Sequence, residues 1–156
     1  MISIAVERDG QQIQSITANT SVFSREEVDC VAELWEEYRQ HGAEVSGYYF
    51  VVECEDGHVR GYACYGPRSL TEGTYDLFWI AVDPECRRAG VGRMLLEWVE
   101  KDIQQMGGRL IVVETSGLEK YAPTRRFYLA TGYLLEATLK DFYKDGDDLV
   151  IFTKHL

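Results

Sequence analysis

The residue types that could do chemistry are concentrated in one stretch of this sequence, Ile80-Ala81-Val82-Asp83-Pro84-Glu85-Cys86-Arg87-Arg88-Ala89-Gly90-Val91-Gly92-Arg93-Met94-Leu95-Leu96. An apolar run feeds a turn that holds Arg87, Arg88 and Arg93 with Gly90 and Gly92, and the turn opens an amphipathic helix. The first N–H groups of a helix lack intrahelical acceptors and carry partial positive charge, and glycine lets an anion approach them without a Cβ in the way. Such a turn is suited to phosphate. The chain as a whole is acidic: 16 Lys and Arg against 26 Asp and Glu leave a net charge of −10, with a pI near 4.7. That balance disfavours nucleic acid and anionic membrane as partners, so the three arginines supply locally the charge an anionic ligand needs. Two nucleotide motifs fail here. The third glycine of G-x-G-x-x-G would fall at Leu95, and no G-K-[ST] follows for a Walker loop.

Metal chemistry is not expected. Cys30, Cys54, Cys64 and Cys86 show no C-x-x-C spacing, and His41, His58 and His155 are far apart. The acidic run Asp141 to Asp148 lacks calcium-loop spacing; it reads as a polar hairpin turn, with a role in binding a cationic ligand as the less ordinary reading. The start of the chain has no charged and apolar leader pattern, and no apolar run approaches the roughly 18 residues of a membrane span, so a cytoplasmic protein with reduced thiols is expected.

The elements that must position the arginine turn follow from periodicity. Length (156 residues), 46% hydrophobic and 27% charged content fit one globular domain, 1–156, without repeat or linker. Ile2 to Val6 and Ile13 to Thr17 read as short strands around a turn at Asp9-Gly10. Ser24 and Glu27 have capping-box spacing, and Val28, Val31, Ala32, Trp35 and Tyr38 recur at helical intervals until Gly42, opposite a solvated acidic face. Tyr48 to Cys54 and Val59 to Tyr65 form a hairpin about Asp56-Gly57, and the continuous apolar run Tyr75 to Val82 belongs in the middle of the sheet. A helix from Val91 to Met106, a buried strand Leu110 to Val113, a helix Pro123 to Ala130, and strands Tyr133 to Leu139 and Leu149 to Thr153 complete the order β, β, α, β, β, β, α, β, α, β, β. This is an α+β domain with a central mixed sheet.

Arg87-Arg88-Ala89-Gly90-Val91-Gly92 has the form R-x-x-G-x-G and resembles the coenzyme A pyrophosphate loop of the GNAT N-acetyltransferase superfamily. The context agrees: a strand ending Val82-Asp83-Pro84 precedes it, Met94-Leu95-Leu96 follows on a helix, and Phe127 of Phe127-Tyr128-Leu129-Ala130-Thr131-Gly132-Tyr133 lies 35 residues beyond Gly92. That last run is similar to the family's F-Y-x-x-x-G-F/Y motif. Where the family often has Asn and Ala, in N-x-x-A-x-x-F-Y, this chain has Tyr121 and Thr124.

The resemblance implies a mostly antiparallel sheet of about seven strands flanked by three to four helices, with a splayed strand pair that takes the pantetheine arm of acetyl-CoA. Ala81, Val82 and Asp83 would then bond that arm through their backbone, and Arg87, Arg88, Ala89, Gly90, Val91, Gly92 and Arg93 would hold the phosphates. Tyr128 would lie near the thioester sulfur, as proton donor or hydrogen-bond partner; without the motif, an aromatic on an amphipathic helix is a core residue. Arg125 and Arg126 would face solvent or the phosphates. Only a neutral amine attacks a thioester, so a base is needed. Asp76, at the start of the strand before the loop, and Glu114, at the end of the next strand, are the candidates, each with an ordinary surface or capping role as its alternative. The expected function is acetyl transfer from acetyl-CoA to a small-molecule or peptide amine without a covalent enzyme intermediate. An inert acyl-CoA-binding sensor of the same fold is the second reading, and a structural helix cap without coenzyme A the third. The resemblance also implies a homodimer as a plausible assembly.

Overall fold

The computed structural model describes residues 1–156 throughout. Eleven elements follow one another: β1 (Ile2–Ile4), α1 (Gly10–Asn19), α2 (Arg25–Ser46), β2 (Tyr49–Glu55), β3 (His58–Pro67), β4 (Thr74–Val82), α3 (Val91–Gln105), β5 (Leu110–Ser116), α4 (Ala122–Ala130), β6 (Leu134–Lys144) and β7 (Asp147–His155). The strands form one seven-stranded sheet in the order β1-β2-β3-β4-β5-β7-β6. Every pairing is antiparallel except β4 with β5. β4 is therefore the central strand, as its continuous apolar run requires. No helix is long and apolar enough to cross a membrane.

Both faces of the sheet are covered from β2 to β5, whereas the edge strand β6 is exposed along its whole length, and the alternation along the covered strands sorts the core into two layers. Val51, Ala63, Leu77, Ile111 and Val113 pack under Leu95, Leu96, Val99 and Ile103 of α3 and Tyr128 of α4. Phe50, Val52, Tyr62, Cys64 and Ala81 point the other way, onto Ile13 and Ile16 of α1 and Val31 and Trp35 of α2. Period 2 in the strands and period 3.6 in α3 produce this division.

The strand expected at Ile13 to Thr17, and the turn at Asp9-Gly10 before it, are corrected. Asp9 accepts a hydrogen bond from the Val6 N–H at 2.8 Å and closes a short helical turn that leads directly into α1. Ile13, Ile16 and Thr17 are buried at helical i, i+3, i+4 spacing, a pattern that five residues of near-alternation do not distinguish from a strand. α2 starts on the expected capping box, with Glu27 N–H donating to Ser24 Oγ at 3.2 Å, a motif contributing about 1 kcal/mol. It bends at Gly42 and continues to Ser46 instead of stopping there.

One glycine in the sheet sets the position of α3. A Cβ on Gly61 of β3 would lie 2.9 Å from the Ala81 carbonyl oxygen and from Val91 Cγ1. Its absence lets the first turn of α3 sit directly on the end of β4, beside the arginine turn.

Candidate active site

β4 and β5 pair in parallel only from Thr74 to Asp76 against Leu110 to Val112. Beyond that β4 keeps only β3 as partner, while β5 from Val113 to Ser116 keeps only β7. The two central strands therefore separate, and the Leu77 to Val82 edge that faces β5 is left without a strand partner. This is the splay expected from the resemblance. The register of β3 against β4 also slips at Phe78, between Tyr65↔Leu77 and Cys64↔Trp79. That bulge re-aims the side chains, so Leu77, Ile80 and Val82 share the α3 face although two residues separate the first two.

At the C-terminal end of β4, Asp83 caps a short helical turn, its Oδ1 accepting the Glu85 N–H at 3.0 Å. The chain then passes through Arg88 at φ 73° and Gly90 at φ 75° before α3 begins. A left-handed arginine carries a backbone cost that the surrounding turn must hold. Gly90 gives α3 no capping side chain. The N–H groups of Val91, Gly92 and Arg93 find no backbone acceptor, the first helical bond being Met94 N–H to Gly90. Arg87, Arg88 and Arg93 are exposed, and the ion pairs of the chain involve none of them. A Cβ on Gly92 would meet only Phe127 at 3.5 Å and Val82 at 3.7 Å, ordinary contact distances, so packing within the protein does not demand glycine there. Three free guanidinium groups, three free backbone donors and open space around Gly90 fit a polyphosphate.

Tyr128 lies on α4 among Phe127, Tyr133 and Phe152, with ring centroids 5.5 to 5.7 Å away, and is 3% exposed. It belongs to the core, as its plain reading predicts. Its hydroxyl bonds nothing within the chain, yet no side-chain polar atom is both enclosed and unpaired, so the oxygen reaches accessible space. Burial holds the phenol well above its ordinary pKa.

The two candidate bases, separate alternatives in the sequence, form one cluster. Asp76 pairs with Val112, and Glu114 stands two residues further along β5, on the same side of the sheet. Arg68 joins them: its Nε lies 3.4 Å from Asp76 Oδ2 and its Nη2 3.4 Å from Glu114 Oε1. Burial raises the Asp76 carboxyl above its usual range, Arg68 opposes that shift, and the Glu114 charge adds to it. Both carboxylates project toward the α1 and α2 side, because Ile111 and Val113 of β5 face α3. Tyr128 is on the α3 and α4 side. A group lying in the gap between β4 and β5 thus has the phenol on one face and the carboxylates on the other.

Several neighbours were not legible as site residues. Arg68 had no signal beyond its place after Gly66-Pro67. Tyr121, in the position of the family's asparagine, donates its hydroxyl proton to the Glu27 carboxylate, with Oε1 at 2.7 Å, and the Val22 carbonyl oxygen lies 3.1 Å from the same hydroxyl, tying α4 to the start of α2. Arg125 is corrected: its Nη1 donates to the carbonyls of Ser116 and Leu118, both at 2.8 Å, and so braces the β5–α4 connection. Arg126 is exposed. Within the acidic run, Asp148 Oδ1 accepts the Asp141 N–H at 3.0 Å and Asp141 Oδ1 accepts the Gly146 N–H at 2.7 Å, so these acids shape their own hairpin. A cavity of about 340 Å³ is lined by Ile4, Trp35, Tyr38 and Arg39 among others, and none of the candidate residues borders it.

The splayed parallel pair opens onto an arginine-rich helix start, and comparison with known proteins gives the family. Residues 14–133 match the acetyltransferase (GNAT) family, and the chain belongs to it. An uncharacterized N-acetyltransferase of Methanocaldococcus jannaschii is 33% identical over 107 residues, which are 68% of this chain and 65% of that relative, somewhat under two thirds of its length. A Desulfovibrio desulfuricans protein assigned to the GNAT family of acetyltransferases is 46% identical, with a TM-score of 0.94 over 99% of both chains. A Salmonella typhimurium structure described with its cofactor acetyl-CoA shares the fold at 22% identity, with a TM-score of 0.77 over 100% of this chain and 93% of its own.

Proposed function

We propose that this protein transfers the acetyl group of acetyl-CoA to a primary amine by direct attack on the thioester. The observation that carries the reading is the division of the β4–β5 gap: free cationic donors at its loop end, and the Tyr128 phenol opposite the Asp76 and Glu114 carboxylates at its closed end. Arg87, Arg88, Arg93 and the N–H groups of Val91 to Arg93 hold the pyrophosphate, and the unpaired edge of β4 from Ala81 to Asp83 bonds the pantetheine amides. The amine nitrogen forms its bond to the acetyl carbon as the carbon–sulfur bond breaks. A proton leaves the nitrogen for Glu114 or Asp76, directly or through water, and the departing thiolate, hydrogen-bonded by Tyr128, takes its proton from solvent. Because burial raises the Tyr128 pKa well above the roughly 8.5 of a thiol, its role is hydrogen-bond donation to the sulfur more than complete proton transfer.

The amine approaches from the carboxylate side. Tyr143 of β6 lies within electrostatic reach of Glu114, Asp147 and Glu27, an acidic surround that favours a cationic acceptor. The second reading, an acyl-CoA-binding module without turnover, draws on Arg68, which engages both carboxylates. Calorimetric titration with acetyl-CoA followed by a CoA-release screen of cationic amines separates them. Absence of binding removes both readings; binding without release on any amine leaves the inert module.

A further inference from the structure

His58, Asp83 and Cys86 take no side-chain part in the transfer reaction, yet the fold brings them together from the first residue of β3, the end of β4 and the short helical turn that follows. His58 Nε2 is 3.0 Å from Asp83 Oδ2, and one donor atom from each of the three residues lies within 4.8 Å of the other two. We propose that this cluster binds a divalent transition-metal ion of the zinc type at the root of the arginine turn. An imidazole nitrogen, a carboxylate oxygen and a thiolate sulfur are the donor types such an ion takes. Bonds of about 2.0 to 2.3 Å in tetrahedral geometry place donors roughly 3.3 to 3.8 Å apart, a spacing that side-chain rotation reaches from here.

The surroundings suit the ion. Asp83 is already oriented, since its Oδ1 is held by the Glu85 N–H and its Oδ2 is turned to His58, the outer hydrogen bond that ligating carboxylates use. His58 and Asp83 border a cavity of about 70 Å³ walled by Gln12, Ser15 and Asn19 of α1, with room for a water as fourth ligand. The charges that bear on Cys86 are Asp83, Glu85 and Glu53 against Arg60. Arg60 is occupied by Glu53, at 2.6 and 2.8 Å, and by Glu55 at 2.9 Å, so its guanidinium is turned to those carboxylates and not to the cluster. A search by spacing misses the site because His58 lies 25 residues before Asp83.

Cobalt(II) titration of the full chain, with no acetyl-CoA present, tests this. We expect a thiolate-to-cobalt charge-transfer band that saturates at one equivalent and is displaced by zinc. The band should vanish in Cys86→Ser and in His58→Ala and survive in Cys30→Ser, with circular dichroism showing all three folded; His58 is exposed, so its variant keeps the test valid if Cys86→Ser does not fold. No band in the parent protein, or a band that persists in Cys86→Ser or His58→Ala, overturns the proposal.

Discussion

Arginine is used in opposite ways at the two ends of the β4–β5 gap. At the loop end Arg87, Arg88 and Arg93 are exposed without carboxylate partners, beside the free N–H groups of Val91, Gly92 and Arg93. At the closed end Arg68 lies between Asp76 and Glu114, 3.4 Å from each. Unpaired cations at a helix start attract an anion, whereas a cation between two carboxylates holds them in place, and a carboxylate is what can accept a proton from an ammonium group. On the proposed function, one end binds and the other reacts. If that division is right, variants at the loop should change affinity and variants at the closed end should change turnover.

The largest effect is expected at Gly92. A Cβ in that position meets Phe127 and Val82 only at ordinary contact distances, and the carboxylate of a glutamate would set a negative charge against the phosphates, so Gly92→Glu should weaken acetyl-CoA binding more than ~100-fold while the domain stays folded. Calorimetry that finds affinity unchanged would remove the loop from the site. Next, Glu114→Gln should lower kcat by about 10²-fold with little change in acetyl-CoA affinity, and the loss should shrink as pH rises because more amine is already neutral. Asp76→Asn should behave likewise if Asp76 is the base; parent-like turnover in both would place proton removal elsewhere. Tyr128→Phe keeps the packed ring and removes one hydrogen bond to sulfur, a loss of roughly 10- to 100-fold in kcat where chemistry limits the rate.

A smaller effect tests the binding end by itself. Arg88→Ala should weaken intact coenzyme A by about tenfold, one charge-assisted contact, and leave a phosphate-free pantetheine fragment unaffected. Both residues carry a Cβ, so the cost of the left-handed backbone at this position is common to parent and variant. Equal losses for the two ligands would contradict a phosphate role.

The two ends also differ in how legible they were. The binding end is local: strand, turn and helix occupy consecutive residues, so composition and spacing from Ile80 to Leu96 carry nearly all of it. The reacting end is assembled by the parallel pairing of β4 with β5, which brings Asp76 beside a residue 38 positions away and leaves no local trace. Glu114 and Asp76 could therefore be named, but not as a pair, and Arg68 could not be named. The misread strand at Ile13 to Thr17 has the same origin. Its burial against the opposite sheet face is decided by tertiary packing, which a short window of near-alternating residues does not contain.

The smallest effect sharpens the comparison most, because it asks whether Arg68 only holds the carboxylates or is itself indispensable. Burial raises the Asp76 pKa, Arg68 pulls it back, and Glu114 pushes it up. In Arg68→Gln the opposing charge is gone, so the Asp76 pKa should rise further. If Asp76 shares the proton-accepting role, the acid limb of the pH–rate profile should move to higher pH, with plateau kcat falling less than about tenfold. Stability has a defined sign as well. A carboxyl whose folded pKa lies above its unfolded value contributes stability that is fully present below the unfolded pKa and is lost as pH rises through the folded one. The variant's loss should therefore extend to higher pH than the parent's, which urea titrations at a series of pH values would show. A displaced stability curve with an unmoved rate profile would leave Asp76 as a titrating neighbour and assign the proton to Glu114 alone.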